Sequence, residues 1–217
     1  MATPGHKLSD ILEIALNRFS DGGIDNISLV EIAELTGLAY SEMNQSFSSV
    51  DNLFDACIVL ATRKLHDDLD GFADGDESPS ERLLHMTHRL ASPTPIEQVA
   101  LFVLVRELLG GKSRAVRAFD LSLGPSLDAF ARVVGESQFR DQMIPLPPRF
   151  LLMVVFFGVV VPQILGFGDV DAKLGGIHAF GDSAVPAQSA LLAASIEAVF
   201  NGILRQPVKL MPAVVLH

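Results

Sequence analysis

The stretch of sequence that decides the fold is "SLVEIAELTGLAYSEMNQSFSSVDNLF", residues 28–54. Its apolar residues recur at helical spacing on both sides of Gly37, which predicts two short helices joined by a tight turn. Ser28 and Glu31 have the S-x-x-E spacing of a capping box, in which each side chain satisfies a free backbone N–H of the first turn. The second helix is therefore predicted to begin at Ser28 and to end at Gly37, and a third helix is predicted over residues 39–45.

Helices are also predicted on both sides of this stretch. Residues 8–20 carry apolar side chains at alternating spacings of three and one, which is the pattern of a buried helical stripe. Gly22 or Gly23 is expected to end this helix in a left-handed cap. Ser49 or Asp51 is expected to cap a longer fourth helix. The stripe consists of Leu8, Ile11, Leu12, Ala15, Leu16 and Phe19.

The remaining sequence indicates an all-α fold. No strand-like alternation persists, and prolines and glycines divide the chain into further helical segments. Residues 168–186 are rich in Gly and Asp and are predicted to form an ordered loop, and the tail after Pro207 is expected to dock loosely or to be unstructured. The further helices are predicted over residues 79–91, 95–110, 113–135, 148–166 and 187–205.

Composition limits the class of protein. The 217 residues are 49% hydrophobic, enough for a sizeable core, and 16 basic against 26 acidic residues give a net charge of −10, which argues against a general polyanion binder. The single cysteine, Cys57, excludes an intramolecular disulfide and favours a reducing, cytoplasmic setting. The most apolar segment, after Arg149, meets Pro162 before it attains the roughly 18–20 residues of a membrane span, so a buried helix and no membrane contact are predicted.

The order of apolar and small residues over positions 11–58 resembles the N-terminal domain of TetR-family transcriptional regulators. It includes an I-L-x-x-A-L-x-x-F opening, a Gly-hydrophobic pair, a Ser-led helix ending in Ile-Ala, a second Gly turn and a Ser-x-x-x-Leu-Phe motif. The remainder of the chain is similar only in style. The matching residues are Ile11, Leu12, Ala15, Leu16, Phe19, Gly23, Ile24, Ser28, Ile32, Ala33, Gly37, Leu38, Phe47, Ser49, Leu53 and Phe54.

This resemblance implies a domain organisation and a function. It implies a helix-turn-helix DNA-binding domain over residues 1–50 and a helical effector-binding and dimerisation domain over residues 51–217, with residues 148–205 at the dimer interface. It further implies a ligand-responsive transcriptional regulator, expected to be a repressor, that binds DNA as a homodimer and a small apolar effector between its middle helices. The expected cavity residues are Met86, His88, Phe102, Arg106, Phe119 and Phe156, with Arg89 as a further polar anchor that is not ranked against His88 and Arg106.

The expected DNA contacts are polar rather than basic. Hydroxyls and amides can bind phosphates, and Asn or Gln can read the edge of adenine. Family members usually have a basic residue early in the second helix and a Lys at the start of the fourth helix, whereas these positions hold Leu29, Val30 and Val50 here. The expected contact residues are Ser28, Tyr40, Ser41, Asn44, Gln45 and Ser49.

The distribution of charge leaves two hypotheses open. Residues 1–56 hold two basic and nine acidic side chains, and no basic side chain lies between Arg18 and Arg63. Because phosphate neutralisation supplies most non-specific DNA affinity, DNA binding is expected to be weak, sensitive to salt, or lost. In the first hypothesis the chain is the homodimeric regulator. In the second it keeps the fold, has lost DNA binding, and acts as a small-molecule-binding protein or as the heterodimer partner of a DNA-competent relative.

The sequence supports no catalytic or metal site. His85 and His88 share a helix face, but no nearby His or Cys completes a metal site. The acidic residues in 67–77 lack the spacing of a calcium-binding loop, and Cys57 is expected to be a small core residue. The motifs of a nucleophile elbow and of a phosphate-binding loop are absent. We therefore predict no metal, no cofactor and no enzymatic activity.

Overall fold

The computed structural model describes residues 8–164 and 188–205. Secondary structure in these residues is helical, apart from an isolated antiparallel pairing of Met143 with Leu204, so the prediction of an all-α fold is confirmed. The predicted loop at 168–186 and the tail after Pro207 lie outside the described residues. The elements are α1 (Leu8–Gly22), a 3-10 turn (Ile24–Asn26), α2 (Leu29–Thr36), α3 (Tyr40–Ser46), α4 (Val50–Ala73), α5 (Pro79–Leu90), α6 (Pro95–Leu109), α7 (Ser113–Ser122), α8 (Gly124–Phe139), α9 (Pro148–Val155), a π-helical turn (Phe156–Val160), α10 (Val161–Ile164) and α11 (Gln188–Asn201).

The described residues form two compact units. The first contains the chain up to Asp67 together with Pro93–Pro125, and the second contains Asp68–Ser92 together with the chain from Ser126 onward. The first unit thus groups α6 and α7 with α1 to α3 and most of α4. The boundary between functional domains at residue 50 stays a prediction.

The apolar stripe of α1 forms the centre of the first unit. Phe19 of α1 and Phe54 of α4 are fully buried and meet edge to face, with their ring centroids 6.0 Å apart. Burying a large apolar side chain contributes roughly 1.5–3 kcal/mol, so this stripe holds α1 in place. Leu8, at the start of the helix, is the exception to the prediction because it is exposed. The other stripe residues are all buried: Ile11, Leu12, Ala15, Leu16 and Phe19.

The predicted capping box at the start of α2 is only half formed. Ser28 Oγ accepts a hydrogen bond from the Glu31 N–H at 3.2 Å, as the sequence predicts. The Glu31 carboxylate, however, accepts from Arg18 of α1 at 2.7 Å instead of returning to the backbone of Ser28. The prediction is wrong on this point because a charged guanidinium is a stronger partner for a carboxylate than a neutral N–H.

The glycine turns lie where the sequence predicts them. Gly37 ends α2 at φ 68°, and the N–H of Leu38 donates to the Ala33 carbonyl at 3.0 Å to close the turn. A residue with a Cβ is disfavoured in this left-handed conformation. Of the two candidates after α1, Gly23 takes the positive φ, at 73°, and Gly22 remains in the helix.

Prolines interrupt two of the predicted helices. The segment predicted as one helix over 113–135 forms two helices, α7 and α8, which separate just before Pro125 because proline has no N–H to continue the backbone ladder. The helix that begins at Pro148 contains a π-helical turn ahead of Pro162. In a regular helix the ring of Pro162 would clash with the carbonyl of Gly158, and the wider turn relieves this contact.

The second unit is built from the end of α4, α5, α8, α9 and the last helix. That last helix, α11, is predicted over 187–205 and ends at Asn201. Arg82 of α5 is buried and donates to the Ala73 carbonyl at the end of α4 and to the Glu136 carboxylate of α8, which keeps its charge paired. The core side chains of this unit include Leu83, Met86, Phe130, Val133, Leu151, Val155, Ile196 and Phe200.

Candidate nucleic-acid interface

The third helix, α3, presents polar side chains to solvent from an apolar base. Met43 and Phe47 are buried and hold this short helix against the core. Tyr40 is 52% exposed, and the polar side chains that follow it are exposed as well. The exposed side of α3 therefore carries four of the six residues predicted to contact DNA: Tyr40, Ser41, Asn44 and Gln45.

The acidic residue of α3, Glu42, is engaged at the start of its own helix. Its Oε2 accepts a hydrogen bond from the Ala39 N–H at 3.1 Å. This contact satisfies one of the free N–H groups of the first turn, and a negative charge is favourable at a helix N-terminus. The carboxylate thus folds back toward Ala39 instead of extending along the exposed side of α3.

The other two predicted contacts, Ser28 and Ser49, are exposed helix caps. Ser28 Oγ caps α2 through Glu31, and Ser49 Oγ caps α4 by accepting from the Asn52 N–H at 3.1 Å. A hydroxyl has an O–H donor in addition to its acceptor lone pairs. Each serine can therefore cap its helix and also donate to a phosphate oxygen. Asn52 adds an exposed amide beside Ser49, which the sequence pattern did not single out.

Several acidic side chains of the first unit are paired with cations, and the partners of Asp25 and Asp51 lie far away in the sequence. Arg114 of α7, whose side chain is 13% exposed, lies 2.5 Å from Asp25 Oδ1, 2.7 Å from Glu107 Oε2 and 3.5 Å from Asp51 Oδ1. Lys112 Nζ lies 2.9 Å from Asp25 Oδ2. Lys112 and then Arg114 hold the pKa of the Asp25 carboxyl below its usual range. We call Asp25, Asp51, Glu107, Lys112 and Arg114 the Arg114 cluster.

Two further ion pairs reduce the acidity of this region. Arg117 of α7 lies 2.7 Å from Asp55, and the paired carboxylate raises the pKa of that guanidinium. Arg18 lies 2.7 Å from Glu31. The charge deficit of residues 1–56 is therefore smaller in the fold than in the sequence, because Lys112, Arg114 and Arg117 bring cations from outside these residues. Arg18 is already among the two basic side chains counted there. The acidic residues of positions 1–56 that take part in these ion pairs or in the Arg114 cluster are Asp25, Glu31, Asp51 and Asp55.

The residues predicted for an effector cavity are distributed over both units. Arg106 of α6 donates to the carbonyls of Phe19 and Ser20 at 2.6 and 2.9 Å, and its guanidinium lies 5.7 Å from the ring centroid of Phe102. It thus caps the end of α1, where free carbonyls favour a cation. The grouping of the six predicted effector residues in one cavity stays a prediction. The first unit holds Phe102, Arg106 and Phe119, all half-buried, and the second holds Met86, fully buried, Phe156, half-buried, and His88, exposed.

The other residues singled out in the sequence have structural partners. Cys57 is buried and its thiol donates to the Leu12 carbonyl at 3.4 Å, so its prediction as a core residue is confirmed; burial raises the pKa of this thiol. Arg89 pairs with Asp68 at 2.7 Å. Within residues 8–164 and 188–205, no group of three or more His, Cys, Asp or Glu side chains is placed to hold a metal ion. Among the described helices, none combines the length and apolar composition of a membrane span.

Solved structures share this fold at low sequence identity. A candidate fatty acid metabolism regulator from Clostridium perfringens superposes with a TM-score of 0.70 at 15% identity, covering 90% of this chain and 99% of that chain. A candidate TetR family transcription regulator from Shewanella sp. PV-4 gives a TM-score of 0.68 at 16% identity, with 93% and 100% covered. The ketosteroid transcriptional regulator of Mycobacterium tuberculosis gives 0.63 at 15% identity, with 94% and 99% covered. The chain therefore has the fold of TetR-family regulators, as its sequence predicts.

Sequence comparison adds nothing to this likeness. No protein-family model matches the chain, and the comparison with curated proteins gave no match.

Proposed function

We propose that the chain is a TetR-like, ligand-responsive transcriptional regulator, a repressor that acts in the cytoplasm and binds DNA as a homodimer. The observation that carries this proposal is the exposed polar side of α3, held on the buried Met43 and Phe47, in a chain with the TetR fold. In a helix-turn-helix the second helix enters the major groove and the first crosses the backbone, which are the roles of α3 and α2 here.

Amides and hydroxyls make the DNA contacts in this proposal. Asn44 and Gln45 are suited to the adenine edge, where each good bidentate pair contributes about 1–3 kcal/mol of discrimination. Ser28 and Ser49 donate to phosphates from the helix N-termini, which themselves favour anions. Because these groups carry no positive charge, they release few counterions. Binding through them should therefore depend only weakly on salt, which replaces the salt sensitivity expected from the sequence.

Dimerisation is proposed through an apolar face of the second unit. Phe150, Met153 and Phe157 are spaced i, i+3 and i+7, and they are 54%, 58% and 53% exposed. Phe150 and Met153 lie on one side of α9, and Phe157 follows in the π-helical turn. We propose that these three exposed side chains form one apolar stripe. A second copy of the chain would cover this stripe, and so would a related chain in a heterodimer. The stripe lies within the residues 148–205 expected at the interface.

An apolar effector is proposed to act by shifting the spacing of the two DNA-binding regions. A ligand changes such an equilibrium only if it binds the two conformations with different affinity. Within the first unit, Arg106 and the Arg114 cluster tie α6 and α7 to α1, to the 3-10 turn and to the start of α4. A displacement of α6 would therefore also move α1, the 3-10 turn and the start of α4, because charged contacts join these elements. These elements flank the proposed DNA-binding helices α2 and α3.

The test of this function is fluorescence anisotropy with the upstream intergenic DNA of its own gene, beside an unrelated duplex, at low and at physiological salt. Saturable binding selective for the intergenic DNA is expected. The double variant Asn44→Ala/Gln45→Ala should lose selectivity, and the matched double variant Asn17→Ala/Gln98→Ala, which removes amides from α1 and α6, should keep it. Equal affinity for both duplexes in the unmodified protein contradicts the proposal.

The alternative is a TetR-fold protein that has lost DNA binding and acts by binding a small molecule or a related subunit. The absence of Lys and Arg between Arg18 and Arg63 favours it. No anisotropy change on either duplex at low salt would select this alternative.

A further inference from the structure

A cavity lies inside the first unit, between α1, the middle of α4 and the start of α6. Its volume is about 440 Å³. This volume falls in the range of roughly 300–1,000 Å³ that is typical of small-molecule sites. None of its described lining residues is among the six predicted for the effector cavity, so it is a separate candidate site.

Two small residues on α4 make room for this cavity. Cys57 and Ala61 lie one helical turn apart, and both belong to the lining. The cavity therefore offers a ligand a mainly apolar surface, and removing that surface from water would favour binding. Larger apolar side chains complete the walls on all three helices: Leu12 and Leu16 of α1, Leu60 of α4 and Ile96 of α6.

The buried polar groups of the lining already have partners in the fold. The Cys57 thiol donates to the Leu12 carbonyl at 3.4 Å. Glu97 of α6 is 1% exposed, accepts a hydrogen bond from the Thr94 N–H at 2.7 Å and interacts with a further group of the fold. A charged group of a ligand would lose its hydration on entering the cavity, and these lining groups could compensate that loss only by giving up their own partners.

The exposed charged residues of the lining give a ligand no strong reason to carry a charge. Glu13 of α1 and Lys64 of α4 are both exposed to solvent. Lys64 in addition interacts with another group of the fold. Because water screens ion pairs at exposed positions, such pairs contribute little to affinity.

We propose that this cavity binds a small, uncharged and mainly apolar molecule. Its body packs against the leucines and Ile96, in contact with all three helices. Ser9 and Thr94 also belong to the lining, and their hydroxyl groups can hydrogen-bond one neutral polar atom of the ligand. Binding at this site does not require that the chain bind DNA, so the failure of either proposal leaves the other intact.

The experiment compares three naphthalene probes of nearly equal size: 1-naphthalenemethanol, which is uncharged, 1-naphthylmethylamine, which is a cation, and 1-naphthoate, which is an anion. The chain contains no Trp and one Tyr, so naphthalene fluorescence anisotropy is read against little protein emission. The full chain should bind the alcohol with a Kd below about 1 mM and each charged probe roughly tenfold or more weakly.

A matched pair of variants on α4 locates the site. Ala61→Phe fills the cavity with a ring and should abolish saturable binding of the alcohol. The control Val59→Phe adds the same ring at a 40% exposed position of the same helix outside the lining, and it should bind the alcohol as the unmodified chain does. Circular dichroism shows whether each variant is folded.

Cys57→Met tests the same site without placing a ring in the cavity. Methionine is flexible and fills irregular gaps in apolar cores, so the variant is expected to fold. Its longer side chain covers apolar surface that the ligand would otherwise bury, and binding of the alcohol should weaken by about fivefold or more. The proposal is overturned if the alcohol does not bind saturably, if either charged probe binds as tightly as the alcohol, or if folded Ala61→Phe or Cys57→Met binds the alcohol as well as Val59→Phe does.

Discussion

At the scale of single residues, Arg114 shows how a surface can be more acidic in sequence than in the fold. It is largely buried and contacts Asp25, Asp51 and Glu107. The sequence separations of 89 and 63 residues to the two aspartates place these contacts beyond any local pattern. Charge counting along the sequence therefore overestimates the unpaired acidic charge of residues 1–56.

Arg114→Met should destabilise the chain by about 2–3 kcal/mol, because it leaves Glu107, which is 7% exposed, without its closest cation. Lys112→Met is the matched control, since it removes an exposed member of the same cluster and should cost at most about 1 kcal/mol. Urea unfolding followed by circular dichroism measures both. If both variants lose the same free energy of unfolding, the burial of Arg114 does not contribute to stability.

The lowered pKa of Asp25 predicts a pH dependence with a definite sign. An acid whose pKa is depressed in the folded state adds stability above its ordinary pKa and loses this contribution as the pH falls through the depressed value. The gap in urea midpoint between the unmodified chain and Asp25→Asn should therefore be constant near neutral pH and should close below about pH 4. A gap that persists or widens at pH 3 argues against the pairing with Lys112 and Arg114.

At the scale of elements, local signals predicted the first helices well. The stripe of α1, the Ser28 cap and the Gly37 turn depend on neighbours a few residues away, which the sequence displays directly. The two predictions that were wrong depend on a non-local contact or on a proline. Glu31 leaves its capping box for Arg18 on another helix, and Pro125 divides the segment predicted as one helix. The exposed polar side of α3 could be predicted because exposure follows from helical periodicity, whereas the Arg114 cluster could not.

Two glycine substitutions test the turn between α2 and α3. Gly37→Ala should destabilise by about 1 kcal/mol or more, since φ is 68° at this position. Gly71→Ala, within α4 and with open space around its added methyl group, should stabilise by about 0.5–1 kcal/mol because alanine favours helices. Thermal unfolding of both variants gives the comparison. Stabilisation by Gly37→Ala would refute the left-handed turn.

At the scale of the whole molecule, the account requires a dimer through the stripe of Phe150, Met153 and Phe157. Light scattering during size-exclusion chromatography should give about twice the 23.3 kDa chain mass. Met153→Arg should shift the chain to monomer, because a charge in an apolar interface is costly. Leu121→Arg, at a 55% exposed position of α7, is the control that should remain dimeric. If both variants are monomeric, or if both remain dimeric, the dimer interface does not involve this stripe in particular.

The central claim is that hydroxyls, amides and helix N-termini hold DNA in place of lysines. The slope of log K against log salt concentration for the intergenic duplex tests it most directly, with Val50→Lys as the comparison. The account predicts a slope no steeper than about −2, against roughly −5 to −9 for proteins with six to ten phosphate contacts, and a slope steeper by about one unit for each lysine that reaches a phosphate in the variant. A steep slope in the unmodified chain, or no binding at the lowest salt, would contradict it.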